Sequence, residues 1–143
     1  LLATRHQAPR FFRHPFLQVG LDLEKRRAFE AFLGAQGYTV APVTLDNDEY
    51  MYAAVYADAL RRGDAAAADG IGTDYIRYME EVLSFYEGLS IRLIGREIRH
   101  ILLLHANRLN ADRFDLLAAA IEARGYRYVT LDLEGFRSGN LNG

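Results

Sequence analysis

Cysteine and tryptophan are both absent from the 143 residues, and proline is scarce, with three in the whole chain. The lack of cysteine excludes disulfides, thiol catalysis and cysteine-ligated zinc. It leaves the compartment open, because reducing and oxidising compartments both tolerate such a chain. Neither sign of charge is in excess: seventeen Lys and Arg stand against nineteen Asp and Glu, a formal net charge of -2. That balance argues against a dedicated nucleic-acid binder, which carries a basic footprint. No apolar run nears the roughly 18 residues that a membrane-spanning helix needs, so no transmembrane helix is expected. What is present is half hydrophobic and 12% aromatic, all of it Tyr and Phe, which excludes a disordered or collagen-like chain. The length suits a single hydrophobic core. The chain opens on Leu1 with no leader-like segment ahead of it, as expected of a processed product or of a piece of something longer.

Periodicity divides the chain into alternating strand-like and helix-like segments. Phe11 to Phe16 is short and aromatic, and Pro15 excludes a helix there. Leu23 to Gln36 places Leu23, Ala28, Phe29, Phe32 and Leu33 mostly on one face, with Asp22 as its N-cap and Gly37 past its end. Tyr38 to Leu45 reads as a strand in which Pro42 marks an edge or a bulge. A helix is expected from about Asp48 to Arg62, and a linker of small residues, or frayed helix, over 63–70. A long helix follows from Thr73 to Ile94, striped with Tyr75, Tyr78, Val82, Phe85, Tyr86, Leu89 and Leu93 as core or helix-packing surface. Ile98 to His105, with its continuous Ile101-Leu102-Leu103-Leu104 run, reads as a strand covered on both faces. Asn110 and Asp112 open a helix ending at Gly125, and Tyr126 to Leu131 reads as a last strand. Strands joined through helices need crossovers, so the expected class is α/β, with parallel strands and flanking helices. The tail over 134–143 has no periodicity and is expected to be loose.

Three polar clusters follow the apolar runs: Arg13-His14-Pro15-Phe16, Asp46-Asn47-Asp48-Glu49-Tyr50 and His105-Ala106-Asn107. At the carboxyl ends of parallel strands they would converge on one rim, where ligands bind in such folds. His105 is a candidate proton donor near neutral pH; packing at a strand end is the plain alternative. Arg13 offers a planar fork for a carboxylate, against which stands an ordinary surface arginine. Asp46, Asp48 and Glu49 are candidate acids, or else first-turn acids favoured by the helix dipole. The histidines show no metal-ligand spacing, and no Ser/His/Asp set can be assembled. Gly70-Ile71-Gly72 follows no strand and makes a poor phosphate loop.

Taken in order, the three clusters resemble the later motifs of the polysaccharide deacetylase family, the NodB-homology domain. Phe12-Arg13-His14-Pro15-Phe16 is similar to the family's third motif, Val43 to Tyr50 to its fourth, and Ile101 to Asn107 to its fifth. The resemblance covers Phe11 to Asp132 and implies that residues 1–133 are the C-terminal portion of such a domain, a partial distorted (β/α) barrel. It further implies metal-assisted removal of N- or O-acetyl groups from a glycan, in an extracytoplasmic setting. In that scheme His105 protonates the leaving group, Arg13 orients the catalytic base, and Asp46, Asp48 and Glu49 tune the histidine. Pro15, Phe16, Tyr50, Leu103 and Asn107 would contact substrate. Tyr50 stands where the family usually has Trp, and Glu49 where aspartate is common. The Thr-Phe-Asp-Asp and His-Ser/Thr-x-x-His motifs, which supply the base and the zinc ligands, do not occur among these residues. The chain is therefore expected to bind no catalytic metal and to be inactive alone, zinc belonging to the complete domain. Two alternatives stand beside this expectation: a non-catalytic binding or assembly module derived from the same fold, and an unrelated α/β enzyme.

Overall fold

The computed structural model describes residues 10–126 as two units, Leu1–Thr44 and Leu45–Gly143. In the first, β1 (Phe11–Phe12) pairs in parallel with β2 (Thr39–Val40), Phe11 opposite Thr39 and Phe12 opposite Val40. The helix α1 (Leu23–Ala35) makes the crossover between them. Asp22 caps it as the sequence predicts, its side chain accepting from the Lys25 N–H at 2.8 Å. Gly37, at φ +79°, ends it, a left-handed conformation that costs glycine little. Leu33 is buried under this small layer, where the rings of Phe12, His14 and Phe29 meet at 5.4–5.6 Å between centroids.

The second unit is helical. Within it α2 (Glu49–Arg61), α3 (Ala65–Ile94) and α4 (Arg108–Ala123) pack pairwise. Their shared core holds Tyr56, Tyr75, Met79, Leu83, Leu109, Leu117 and Ile121 with Leu45. Full burial of side chains this size contributes about 1.5–3 kcal/mol each. α3 starts earlier than its sequence suggests: Asp64 accepts from the Ala67 N–H at 2.9 Å, and the run over 65–70 is helix rather than linker. Ala65 to Ala68 are strong helix formers, and once capped they extend the helix N-terminally. Gly70 and Gly72 are absorbed into it. A Cβ at Gly72 would lie 2.3 Å from the Arg113 Nε, so the missing side chain there makes room for α4.

The expected α/β architecture, a partial distorted barrel of parallel strands with flanking helices, is therefore overturned. Among the described residues the sheet has two strands of two residues each, and the molecule is mostly helix. The strand predicted over Tyr38 to Leu45 pairs with β1 only at Thr39 and Val40, and Leu45 makes an isolated bridge elsewhere. Pro42 has no N–H to donate, and the ladder stops at the Ala41 N–H, which donates to the Phe12 carbonyl at 2.8 Å. The strand predicted over Ile98 to His105 does not form: the segment pairs at one position, Leu102 with Leu45. An apolar run reads alike whether strands or helices cover it, and here Ile101 to Leu104 is half-buried, with Leu102 and Leu104 packed against the helical core of its unit. The Tyr126 to Leu131 strand and the 134–143 tail fall outside the described residues, save for Tyr126 itself.

Candidate functional site

The turn ahead of α2 and the segment ahead of α4 meet around one carboxylate. Glu49 is the first residue of α2 and is 1% exposed. An acid in the first turn faces the positive end of the helix dipole. Its burial needs more than that, and four donors supply it. Oε1 accepts from the His105 N–H at 3.2 Å and is hydrogen-bonded to the His105 Nδ1. Oε2 accepts from the Asn107 Nδ2 at 2.8 Å and the Asn110 Nδ2 at 3.2 Å. Every near oxygen lone pair is thus engaged, which is how a buried charge is kept.

The donors are themselves held. The Asn107 side-chain oxygen caps α4 by accepting from the Asn110 N–H at 2.9 Å, so its amide group is turned toward Glu49. Asn110 also donates from Nδ2 to the His105 carbonyl at 2.8 Å, and its Oδ1 accepts from the buried Tyr75 hydroxyl at 2.6 Å. Burial, reinforced by the nearby Glu49 charge, pushes the Tyr75 hydroxyl far above the ordinary tyrosine range and keeps it a donor. On the other side, Asn47 donates from Nδ2 to the Leu103 carbonyl at 2.8 Å, while its Oδ1 accepts from the Glu49 N–H at 3.0 Å.

This arrangement sets the chemistry of His105. Opposite an ionised carboxylate, which can only accept, Nδ1 is the nitrogen that donates and Nε2 is the nitrogen facing away from Glu49. The His105 side chain is 45% exposed while its partner carboxylate is buried. The pair is an oriented imidazole whose outer nitrogen can exchange a proton with something bound beside it.

Of the residues singled out in the sequence, Glu49, His105 and Asn107 are in direct contact, and Leu103 joins through its backbone. Asp46, Asp48 and Tyr50 are exposed. Asp46 accepts from the Asn47 N–H at 3.0 Å, and the Asp48 N–H donates to the Tyr78 hydroxyl at 2.9 Å. Neither aspartate is hydrogen-bonded to the imidazole; of the three acids Glu49 alone meets it. Arg13, Pro15 and Phe16 belong to the first unit. There the Arg13 Nε is buried with no hydrogen-bond partner among the described residues. Phe16 is 73% exposed at φ +53° in a tight turn over Pro15–Leu17, a backbone setting that is strained for an aromatic residue. Asn47, Tyr75 and Asn110 were not foreseen as site residues. The Asn107-x-x-Asn110 spacing was the available signal, since a capping asparagine turns its amide outward.

No group of three or more His, Asp or Glu side chains among the described residues is gathered to hold a metal ion. Compared with family models, curated proteins and solved structures, the chain matches none of them.

Proposed function

We propose that this chain supplies the proton-donating half of a glycan deacetylase, with His105 as general acid and Glu49 as the group that orients it. The observation that carries the reading is the buried Glu49 carboxylate hydrogen-bonded to the His105 Nδ1, with the imidazole otherwise open to solvent. Loss of an acetyl group from an amide requires a proton for the departing amine. An imidazole with its inner nitrogen held by a carboxylate presents Nε2 for that transfer. The reading rests on the site rather than on a barrel, since chemistry resides in the placed side chains. The hydrolytic base, and a metal to polarise the acetyl carbonyl, would have to come from a second segment bearing the Thr-Phe-Asp-Asp and His-x-x-x-His motifs. The partner is then an acetylated envelope or extracellular glycan. No helix among the described residues is long and apolar enough to cross a membrane.

The test is acetate release from N- and O-acetylated chito-oligomers. The chain alone, with zinc added, is expected to release none. Joined to a segment carrying the two missing motifs, it is expected to hydrolyse the acetyl bond, and His105→Ala in that protein lowers kcat by about 10²–10⁴ with the fold intact. Full activity in His105→Ala, or turnover by the chain alone, overturns the assignment. In the chain itself, nitrogen NMR of the imidazole should show the Nδ1–H tautomer at neutral pH, and a dominant Nε2–H form refutes the geometry. A non-catalytic module would show the folded pair with no turnover in any joined form.

A further inference from the structure

One reactive group of the site has no part in proton donation: the electron pair of the neutral His105 imidazole. A general acid acts as the protonated ring. The neutral ring, opposite an ionised Glu49, keeps its proton on Nδ1 and carries a free electron pair on Nε2. The surroundings activate that pair. The Glu49 carboxylate is buried, and its other oxygen is held by the Asn107 and Asn110 amides. A carboxylate on one ring nitrogen fixes the tautomer and the ring's orientation and raises the basicity of the other nitrogen. Among the described residues Glu49 is the ring's one hydrogen-bond partner, and the side chain is otherwise open to solvent. A nucleophile, the acid that orients it and the groups that hold the acid are thus assembled as covalent catalysis requires. Rivals for an electrophile are few. Cysteine is absent, the one lysine, Lys25, is paired with Asp22 at 3.3 Å, and the Nε2 atoms of His14 and His100 are buried.

We propose that His105 Nε2 is an acyl-accepting nucleophile, so that this chain by itself hydrolyses activated aryl esters such as p-nitrophenyl acetate through an acetyl-imidazole intermediate. The Nε2 electron pair adds to the ester carbonyl carbon. The carbonyl then re-forms and the bond to the aryl oxygen breaks, the aryloxide leaving with its electron pair. The ring, now acylated on Nε2 and protonated on Nδ1, is a cation whose charge faces the Glu49 carboxylate. Water adds to the acyl carbon and acetate departs. Nε2 recovers its electron pair, and the two protons of that water pass to solvent. Water is the only co-reactant. An aryloxide leaves without an acid to protonate it, whereas the alkoxide or amide ion of a sugar does not, so alkyl acetates and acetamides stay intact with this chain alone. The activity goes beyond the deacetylase reading and does not depend on it.

The experiment follows release of p-nitrophenolate from p-nitrophenyl acetate by the 143-residue chain at neutral pH, beside an equal concentration of free imidazole. Hydrogen bonds to charged groups are the strong ones, and the chain is expected to outpace free imidazole by about tenfold or more. His105→Ala, checked for its fold by circular dichroism, is expected to lose that advantage. A second measurement needs no variant. Diethyl pyrocarbonate leaves a stable carbethoxy group on an imidazole nitrogen, and peptide mass mapping is expected to find His105 marked ahead of the other three histidines and of Lys25. A chain no faster than free imidazole, an undiminished rate in folded His105→Ala, or first modification at another residue overturns the proposal. The two readings of His105 fail separately. If His105→Ala abolishes aryl-ester hydrolysis by the chain yet leaves acetate release by the joined protein intact, the general-acid assignment falls and the nucleophile stands.

Discussion

Replacing Glu49 by Gln changes one atom in a side chain that is 1% exposed, and the surrounding donors make that single change expensive. Four donors converge on two oxygens. A carboxamide keeps one oxygen and turns an amino group toward the other pair of donors. If the amide oxygen stays with His105, the amino group meets the amides of Asn107 and Asn110. Neither can turn over to offer its oxygen without loss, because Asn107 is capping α4 and Asn110 is accepting from Tyr75. If the oxygen turns the other way, the His105 backbone and ring donors are stranded instead. Each buried donor left unmade costs about 1–3 kcal/mol, so Glu49→Gln is expected to destabilise the second unit by about 3 kcal/mol. For a domain of this size that is a fall of about 12–24 °C in Tm. Urea unfolding followed by circular dichroism measures it, with Glu81→Gln as the exposed control, expected within about 0.5 kcal/mol. A Glu49→Gln variant within about 1 kcal/mol of the parent refutes the claim that this carboxylate is the acceptor on which the helices close.

Tyr75→Phe keeps the ring in the core and removes only the hydroxyl that fixes the Asn110 amide. It is expected to cost about 1–2 kcal/mol of stability and, in an active joined protein, to lower kcat with KM unchanged, because the imidazole is less well held; an unchanged kcat removes Tyr75 from that positioning role. The tyrosines also predict alkaline behaviour. Burial pushes the hydroxyls of Tyr52, Tyr56 and Tyr75 up, and that of Tyr126 up to about 12. A raised folded value means stability is intact below the unfolded value of 10.0 and is lost as pH climbs toward the folded one. Above pH 10 the buried Tyr75 alone removes about 1.4 kcal/mol per pH unit. Tyrosinate absorbance rising in step with loss of helix confirms this; free titration of all tyrosines at their ordinary value contradicts it.

How much of this was legible in advance differs by element. Helices α1, α2 and α4 could be placed to within a residue or two, because their signals are local. Asp22 as a cap, Gly37 and Gly125 as terminators and the apolar stripe over Leu23 to Leu33 act within one or two turns. His105 and Glu49 were both visible as candidates, being polar residues at the edges of apolar or helical segments. Their partnership was not, since a separation of 56 positions leaves no mark in either segment.

The strands were over-read for a related reason. Ile101 to Leu104 is apolar enough for a strand buried on both faces, yet in the structure its four residues are only half-buried. Whether its backbone finds neighbouring strands depends on what the rest of the chain lays beside it. Here the neighbour is a single residue, Leu45, and the rest of the enclosure is α2, α3 and α4. The sequence by itself determined the cap and end of α1 and the rough extent of α2 and α4, because these follow from interactions among near neighbours. It did not determine which apolar residues avoid water, since Leu23, Phe32, Phe85 and Leu93 of the expected apolar faces are exposed. The tertiary structure decided that helices rather than a sheet enclose the second unit. It alone chose Glu49, among the three acids of its turn, as the one whose carboxylate meets the imidazole, because burying that charge required four donors from distant parts of the chain to arrive together.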